Sequence, residues 1–444
     1  MTVGNSTTIR SDELARAPGP ARMNVLVFPC GSEIGLEIHR ALQFSTHFDL
    51  VGASSVPSNH GRYVYGRYVE GLPYADEPEL PEALNRVIDE HKVEFVFPAH
   101  DSVVLALARH SGELHARYVG SPAATCQVCR SKRATYQVLG GTVRVPHLFG
   151  MDEALPTYPV FLKPDVGQGS KGTRMAHSLE EVEFFLRLDS SLLVMEYLSG
   201  PEYTVDCFTD RFGVLRFAGA RERIRVMNGI SVDTAPVEGD EYQGMAELLN
   251  KSLRFRGAWF FQAKRASGGE LVLMEASPRV SGSMALYRNL GVNFESLALF
   301  DLMDKDVDVL RNHYSIRMDR ALVSRFCLDL RYEDVYIDLD DTILRDGEVN
   351  LLAAAFLYQC RNSGIRLHLL SRHAGDIPET LKRFAIEQLF DTIVRVPDHS
   401  CKSEYIRARA AIFIDDSFAE RRRVQDRLGI PTFAADALES LLSI

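Results

Sequence analysis

The order of apolar strands and helical segments limits what this chain can fold into. Short apolar strands at Asn24–Pro29, Asp49–Ser54 and Val93–Pro98 alternate with helical segments, and the same pattern returns after Val335. Such alternation indicates a parallel sheet that is covered by helices. In the middle of the chain, alternating half-buried strands follow one another, which is typical of antiparallel sheets. The sequence therefore predicts two α/β regions around an α+β region.

Size, charge and cysteine usage narrow the class of protein. A chain of 444 residues exceeds what a single core holds, so two to four domains are expected. The formal net charge of −10 argues against a nucleic-acid-binding surface, and no apolar run reaches the roughly 18 residues that span a bilayer. Seven scattered cysteines fit reduced thiols, so a cytoplasmic protein is expected. Residues 1–22 lack an apolar signal-peptide core and are expected to form a disordered tail.

Two positions allow more than one interpretation. Asp101 follows the strand that ends at Pro98, at the sheet edge where open α/β folds bind ligands, but it could equally cap the next helix. Cys126 and Cys129 form a CxxC motif without a second pair or a histidine cluster. This argues against zinc, and two small residues within a helix are expected instead.

The stretch Tyr158–Gly172 contains the first candidate site. An apolar strand delivers Lys163, and the loop after it is rich in glycine. Because such a loop has little side-chain bulk, its backbone N–H groups can approach phosphate oxygens closely. A strand with a glycine turn is also ordinary surface structure, so the interpretation depends on the polar residues of the later strands.

Those polar residues occur at suitable distances. Glu196 and Leu198 flank a strand exit, where backbone groups can bind the edge of an adenine. Gln262 and Glu275 are expected on neighbouring strands, where their oxygens could hold Mg²⁺ between phosphates. Arg279 is a donor suited to a transferring phosphoryl group. Each of these residues could instead be an ordinary surface side chain. That alternative explains the set only if it is true of several residues at once.

This ordered set resembles the ATP-grasp superfamily, most closely its carbamoyl-phosphate-synthase-like branch, over residues 23–305. The matching segments are Lys132, Lys163 with its glycine loop, Leu-Val-Met-Glu196-Tyr, Gly-Pro-Glu202, Gln262 and Met-Glu275-Ala-Ser-Pro-Arg279. The resemblance implies a Rossmann-like N-terminal domain, followed by two α+β subdomains that hold ATP between them.

The resemblance also implies roles for individual residues. Those that would bind ATP lie around the phosphate loop and the strand exit: Lys132, Lys163, Gly167, Gly169, Ser170, Gly172, Glu196, Leu198 and Glu202. Those that would hold Mg²⁺ lie on the two later strands: Gln262, Glu275 and Ser277. Arg279 would be catalytic and face both the γ-phosphate and the substrate.

One position departs from the family pattern, and one strand has an open role. Ser277 stands where the family usually has Asn, and a hydroxyl is a weaker Mg²⁺ ligand than an amide carbonyl. Either one metal is bound loosely or Ser277 acts through water. The basic strand Arg221–Arg225 lies where related enzymes often hold the acid group of the acceptor; a solvated basic strand is the alternative.

A second set of polar residues occurs after the strands of the C-terminal α/β region. The set is Asp338-Leu-Asp340-Asp341-Thr342 after the first strand, Ser371 after the next, then Lys402, and Asp415-Asp416 after Ala-Ile-Phe-Ile. Because the carboxyl ends of parallel strands meet at one edge of a sheet, one cavity should collect these side chains. A single Asp-rich turn would be interpreted as a helix cap, but four such positions in order argue against coincidence.

This pattern resembles the haloacid-dehalogenase (HAD) superfamily of phosphotransferases, over residues 334–444. The resemblance implies that Asp338 is a nucleophile that forms an aspartyl-phosphate and that Asp340 is the general acid/base. Ser371 and Lys402 would bind the phosphoryl oxygens. Asp415 would hold Mg²⁺ together with Asp338 and Asp340, and the neighbouring Asp416 is a further candidate. The segments between these residues are too short for a separate cap domain, so an uncapped site is expected.

The sequence thus predicts an α/β and α+β multidomain protein. After the tail come a Rossmann-like pre-ATP-grasp domain (23–122), a two-subdomain ATP-grasp domain (123–333) and an uncapped HAD-like parallel-sheet domain (334–444). The implied protein is bifunctional: a ligase that uses ATP and Mg²⁺ to join a carboxylate and an amine (or similar) through an acylphosphate, fused to a Mg²⁺-dependent phosphatase. Small-molecule carboxylate and amine substrates are expected, with no nucleic-acid or membrane partner.

Three questions stay open. The ATP-grasp part could instead be a kinase whose product the phosphatase reverses. It could also be a nucleotide-sensing module without turnover. A homodimer is common in related proteins, but no stretch of this sequence decides for or against one.

Overall fold

The computed structural model describes residues 22–150, 155, 157–167, 169, 171–326 and 328–442. They form two compact units, one that ends at Leu322 and one that begins at Val323. Residues 1–21 of the expected tail lie outside the described residues, whereas Arg22 donates to Asp49 at 3.2 Å. Among the helices described here, none has the length and apolar character needed to cross a membrane. The finer domain boundaries given above stay predictions.

The first unit begins with a five-stranded parallel sheet in the order β3-β2-β1-β4-β5. Its elements in chain order are β1 (Met23–Phe28), α1 (Glu33–Leu42), β2 (Phe48–Ser54), β3 (Tyr68–Glu70), α2 (Leu80–His91), β4 (Val93–Pro98), α3 (Asp101–Arg109) and β5 (Arg117–Tyr118), with a 3₁₀ turn at His60–Tyr63. The predicted α/β alternation is confirmed. The two short edge strands, β3 and β5, have no apolar run that would have predicted them.

Two helices and a three-stranded antiparallel sheet come next. The elements are α4 (Ala123–Arg130), α5 (Lys132–Leu139), β6 (Val160–Pro164), β7 (Arg174–Ala176), α6 (Leu179–Leu188) and β8 (Leu192–Glu196), with sheet order β7-β6-β8. Helix α6 begins as predicted, because the Ser178 hydroxyl accepts from the N–H of Glu181. Cys126 and Cys129 lie within α4, which confirms the interpretation as helical residues.

A six-stranded antiparallel sheet in the order β13-β12-β9-β10-β11-β14 completes the first unit. The elements are β9 (Glu202–Thr209), β10 (Leu215–Met227), β11 (Ile230–Val237), α7 (Asp240–Ser252), β12 (Gly257–Arg265), β13 (Leu271–Ser277), α8 (Ala285–Arg288), α9 (Phe294–Leu302) and β14 (Met318–Asp319). The chain's one tryptophan, Trp259, lies fully buried on β12 and stacks on Phe255 with ring centroids 3.9 Å apart.

The largest core of the first unit is assembled from distant parts of the chain. Val25 and Ile38, on β1 and α1, are buried in one cluster with Leu286, Phe294 and Leu299 of α8 and α9. Complete burial of such side chains contributes roughly 1.5–3 kcal/mol each. The last helices of the unit therefore pack against its first sheet.

The second unit is built on a five-stranded parallel sheet in the order β19-β18-β15-β20-β21. Its elements are β15 (Asp334–Ile337), the hairpin strands β16 (Leu344–Arg345) and β17 (Glu348–Val349), α10 (Leu351–Asn362), β18 (Arg366–Ser371), α11 (Ile377–Arg383), β19 (Thr392–Arg395), β20 (Ala411–Ile414), α12 (Phe418–Leu428), β21 (Thr432–Phe433) and α13 (Leu438–Leu441), with 3₁₀ turns at Glu387–Leu389, Lys402–Glu404 and Ala435–Ala437. The predicted parallel sheet is confirmed. The helix expected over 377–387 ends earlier, because Ala385 has a left-handed backbone with φ of 56°.

Candidate functional site

Two neighbouring cavities in the first unit collect most of the predicted ATP-grasp residues. One measures about 770 Å³ and the other about 160 Å³. Five of the predicted residues line both: Lys132, Gly167, Gly169, Gln262 and Glu275. The smaller cavity adds Lys163, Glu196, Leu198 and Glu202, and the larger one adds Ser277 and Arg279. Gly172 is not among the residues that line either cavity, and Ser170 lies outside the described residues.

The two predicted phosphate-binding lysines are positioned by β6 and α5. Lys163 lies on β6 and is 6% exposed. Burial disfavours its charge and lowers its pKa to about 8, although the nearby Glu275 carboxylate acts in the opposite direction. Lys132, the first residue of α5, donates from both its backbone N–H and its Nζ to the Asp165 carbonyl, at 3.2 Å each. Both cations therefore face the smaller cavity from fixed elements.

The glycine loop makes a close backbone contact with the turn between β10 and β11. Gly169 and Gly229 have φ angles of 62° and 76°, which favour glycine. A Cβ added to Gly229 would lie 2.4 Å from the carbonyl carbon of Gly169. The two chain segments can approach this closely because Gly229 has no side chain.

The predicted adenosine-facing acids both engage arginines. The Glu196 carboxylate accepts from Arg144 at 2.7 Å and from the backbone N–H of His147 at 3.2 Å. The Glu202 carboxylate lies 2.7 Å from Nε of Arg223. Neither pairing could be read from the sequence, because the partners lie on separate strands and loops.

The predicted metal ligands Gln262 and Glu275 lie directly opposite each other on β12 and β13. The prediction that they occupy neighbouring strands is confirmed. Within the part of the chain that the structure describes, no lysine or arginine forms an ion pair with Glu275. An amide oxygen and a carboxylate that line two cavities suit Mg²⁺, which prefers oxygen ligands. Ser277 is 7% exposed, and its hydroxyl donates to Asp101 at 3.1 Å.

Arg279 is held by a carboxylate from the first sheet region. Its Nε and Nη2 donate to the two oxygens of Asp101 at 2.7 Å and 2.8 Å, and its guanidinium lies over the Phe260 ring. Burial raises the pKa of Asp101, but the Arg279 charge and hydrogen bonds outweigh this effect, and the pKa falls to about 2. His100, not Asp101, is the N-cap residue of α3, so the capping interpretation is wrong. The partners are 178 residues apart, which is why the sequence does not suggest the pair.

The basic strand is buried at its inner end and exposed at its outer end. Arg221 is 1% exposed, and its Nε donates to the equally buried Asp206 at 2.7 Å. Its Nη1 is buried and has no hydrogen-bond partner among the residues that the structure describes, and Arg221 lines the larger cavity. Arg225 is half exposed and pairs with Asp319. The alternative of a solvated strand is therefore wrong for Arg221 and holds only for the outer end of the strand.

In the second unit, one lysine bridges two of the predicted aspartates. Lys402 Nζ lies 2.7 Å from Asp338 and 2.6 Å from Asp415, and all three side chains are buried. The two aspartates come directly after the neighbouring parallel strands β15 and β20. Burial raises the pKa of Asp338 to about 6; the Lys402 charge lowers it, and the Asp415 charge raises it further.

Three carboxylates of this unit lie close enough to share a metal ion. Oxygens of Asp338, Asp415 and Asp416 lie within 4.8 Å of one another. Three acidic groups beside the single ammonium of Lys402 leave an excess of negative charge, which a divalent cation would balance. Asp340 lies outside this group, and its carboxylate contacts His373 instead.

Ser371 and Asp340 lie at the same carboxyl edge of this sheet. Ser371 ends β18 and is fully buried, and its hydroxyl accepts from the backbone N–H of His373 at 3.0 Å. Thr342 accepts from the backbone N–H of Asp416 at 3.0 Å and so ties the first loop to the last. The structure therefore brings Asp338, Lys402, Asp415 and Asp416 together, and it places Ser371 and Asp340 in contact with His373.

Comparisons with known proteins concern the first unit. Residues 189–321 match the family model described as ATP-grasp in the biosynthetic pathway with Ter operon. The carbamoyl phosphate synthase large chain of Gemmatimonas aurantiaca is 25% identical over an alignment of 244 residues, which covers 47% of this chain and 22% of that protein. The D-alanine–D-alanine ligase of Thermotoga petrophila is 34% identical over an alignment of 97 residues, which covers 20% of this chain and 32% of that protein. The chain thus spans about a fifth and a third of the length of these two relatives.

A solved structure shares the fold. It is the biotin carboxylase domain of the 2-oxoglutarate carboxylase from Hydrogenobacter thermophilus, in complex with MgADP, ADP and bicarbonate. The two chains superpose with a TM-score of 0.55 at 16% identity, over 64% of this chain and 70% of the other. The family match over residues 189–321 supports an ATP-grasp domain in the first unit, and the solved structure shows a shared fold.

Proposed function

We propose that the first unit is an ATP- and Mg²⁺-dependent ligase that joins a carboxylate to an amine or a similar acceptor. The observation that carries this proposal is the placement of Gln262 and Glu275, which line both cavities. The smaller cavity is also lined by Lys163, and the larger one by Arg279. ATP would occupy the smaller cavity and reach the larger one with its γ-phosphate. The acceptor and the carboxylate would occupy the larger cavity.

The reaction needs positioning and charge neutralisation more than covalent help from the protein. A carboxylate oxygen of the substrate bonds to the γ-phosphorus while the bond to ADP breaks, which gives an acylphosphate. The acceptor nitrogen then bonds to the acyl carbon, gives up a proton, and phosphate leaves. Lys132 and Lys163 would hold the transferring phosphates, and Arg279 would neutralise charge on the γ-phosphoryl group. Mg²⁺, held by Gln262 and Glu275, would screen the phosphate charges.

The larger cavity also suggests which chemical group the acceptor substrate contains. The buried Arg221 is fixed by Asp206 but has one nitrogen without a partner. A buried unpaired donor is costly, and an acidic group of a bound substrate would satisfy it. This favours an acceptor with a carboxylate or phosphate group, as the resemblance implied for this strand.

The ligase proposal is tested with ATP, Mg²⁺ and a panel of amino acids and small-metabolite fractions. Release of ADP and phosphate should require both a carboxylate and an amine, and mass spectrometry should find a product equal to their sum less water. Glu275→Gln should abolish turnover, and the exposed Glu247→Gln serves as the matched control. A stable phosphorylated product formed without an amine would favour a kinase. ATP binding without turnover on any fraction would favour a sensing module.

We further propose that the second unit is a HAD-type phosphatase without a cap domain. The supporting observation is the contact of Lys402 with both Asp338 and Asp415 beside a third carboxylate. In the first step an oxygen of Asp338 bonds to phosphorus, the ester bond breaks, and Asp340 gives its proton to the leaving oxygen. In the second step water bonds to phosphorus and gives a proton to Asp340, while the bond to Asp338 breaks and phosphate is released. A Mg²⁺ ion held by the aspartates would offset the phosphoryl charge.

Hydrolysis of p-nitrophenyl phosphate tests this second proposal. We expect Mg²⁺-dependent turnover that Asp338→Asn abolishes, since the amide cannot act as the nucleophile. Asp346→Asn makes the same chemical change on the exposed hairpin and should keep wild-type activity. Equal activity of the two variants would refute the assignment of Asp338.

A further inference from the structure

The carboxylate of Asp340 is bound by a histidine that no motif in the sequence marks. His373 Nδ1 lies 2.8 Å and 3.1 Å from the two oxygens of Asp340. The histidine comes two residues after Ser371, and its backbone N–H donates to the Ser371 hydroxyl at 3.0 Å. One short segment after β18 therefore contacts both the proposed phosphoryl-binding hydroxyl and the proposed general acid/base.

The imidazole ring is also fixed on its far side. His373 Nε2 lies 3.0 Å from the hydroxyl of Thr380 on α11. The loop passes close to the ring at Gly375, where an added Cβ would lie 2.9 Å from Nε2, and Arg395 donates to the Gly375 carbonyl. The side chain of His373 is 21% exposed and that of Asp340 is 48% exposed. The ring is thus held in place, while the carboxyl group stays accessible to a substrate.

A neutral imidazole between a carboxyl group and a hydroxyl can bind Asp340 in either protonation state. One ring nitrogen donates and the other accepts, and the hydroxyl can do both. When Asp340 is a carboxylate, Nδ1–H donates to it and Nε2 accepts from Thr380. When Asp340 carries a proton, the carboxyl O–H donates to Nδ1 and Nε2–H donates to Thr380. The ring keeps the same place and the same net charge in both cases.

We propose that His373, supported by Thr380, is a positioning residue that keeps the Asp340 carboxyl group directed at the reacting oxygen in both steps of phosphate-ester hydrolysis. This inference rests on the proposed phosphatase function. Asp340 must give a proton in the first step and take one in the second. The same carboxyl group therefore has to occupy the same place in two protonation states, and one side chain that can donate or accept meets this need.

Esters with different leaving groups separate this role from a purely structural one. The p-nitrophenolate ion departs without a proton, so in His373→Ala we expect the phosphorylation of Asp338 to keep its rate. Hydrolysis of the aspartyl-phosphate should slow about 100-fold, since its proton acceptor is no longer oriented. Rapid mixing should then show a burst of one nitrophenolate per site, and intact mass spectrometry a chain one phosphoryl group heavier. With phenyl phosphate, whose leaving oxygen needs the proton, the first step should slow as well and the burst should disappear.

Conservative and matched variants complete the experiment. His373→Asn places an amide near the position of Nδ1; its NH₂ group can donate and, after rotation, its oxygen can accept, so the variant should retain most of the turnover. Thr380→Val removes only the hydroxyl that supports the His373 ring, so its burst of nitrophenolate should be smaller than that of His373→Ala. The unit contains a second Asp–His–Thr arrangement at the start of the strands: His368 lies 2.8 Å from Asp334 through Nε2 and 2.8 Å from Thr392 through Nδ1. Thr392→Val makes the same change there and should behave like the wild type.

Two results would overturn the inference. Equal slowing of both esters in His373→Ala, without a burst, would mean that the histidine only stabilises the fold. Unchanged kinetics would mean that it has no part in the reaction. A wild-type protein that hydrolyses neither ester, or an Asp338→Asn variant that hydrolyses both, would instead overturn the phosphatase proposal on which the inference rests.

Discussion

Glu295 is a buried carboxyl group whose replacement should change how the stability of the first unit depends on pH. It lies in the first turn of α9 and is 1% exposed, and among the side chains that the structure describes none forms a hydrogen bond with its carboxylate. Glu37, which pairs with Arg288 at 2.7 Å, lies close by. Burial first, and the Glu37 charge second, raise the pKa of Glu295 from 4.5 to about 8.

The sign and size of the effect follow from proton binding. Between these two pKa values the folded chain keeps a proton that the unfolded chain has lost, so wild-type stability falls as pH rises through this window. One pKa unit corresponds to about 1.4 kcal/mol, so the loss between about pH 5 and pH 8 amounts to a few kcal/mol, on the order of 3 to 4. Glutamine does not titrate. Glu295→Gln should therefore be more stable than the wild type by about 1 kcal/mol at the lower pH and about 4 kcal/mol at the higher one.

Trp259 makes the measurement specific to the first unit. It is the one tryptophan of the chain and is fully buried there, so its fluorescence reports the unfolding of that unit in urea. The exposed Glu77→Gln, on a surface turn before α2, is the matched control and should not change the pH dependence. If Glu295→Gln and the wild type differ by the same free energy at both pH values, Glu295 does not carry a raised pKa and the reasoning fails.

Three further predictions concern the ATP-grasp cavities. ATP affinity, measured by calorimetry, should fall about tenfold per pH unit above about pH 8, because Lys163 with a pKa of about 8 loses its charge there; a flat profile to pH 9.5 would contradict this. Gly229→Ala should weaken ATP binding about tenfold, because its Cβ would meet the backbone of Gly169. Gly213→Ala, at a turn with the same backbone angle but open space, should leave binding unchanged. Asp101→Asn should lower ADP release roughly 10- to 100-fold while ATP affinity stays the same, since it frees Arg279, which we propose faces the γ-phosphate; a parallel loss of affinity would argue against that role.

Local pattern was enough to predict most elements of the fold. Helical periodicity predicts a helix at about 80–91 and an apolar run predicts a strand at Val93–Pro98, and these are the bounds of α2 and β4, since both features depend on residues near one another in sequence. Strand β11 (Ile230–Val237) is not predicted by such patterns, because Asp233, Thr234 and Pro236 interrupt any apolar alternation. It forms because β10 and β14 pair with it on either side.

Some contacts of the candidate sites could be predicted from the sequence, and others could not. Gln262 and Glu275 could be placed together, because two adjacent strands in sequence commonly pair. The contact between Asp101 and Arg279 could not, because it depends on how two distant parts of the chain pack. His373 could not be singled out either, since a lone histidine after a strand has no spacing that ties it to Asp340.

The shared core of α9 and the first sheet bears on how this chain can be divided. A cut after residue 122 looks natural along the sequence, yet Ile34, Ile38 and Phe48 would lose the apolar surface that Phe294 and Leu299 supply. The resulting fragment would expose an apolar face and the carboxylate of Glu37 that Arg288 neutralises. An exchange of N-terminal regions between chains of this kind would have to carry the later helix along with the early strands. The modular unit for recombination is therefore discontinuous, with its two halves at opposite ends of the first unit.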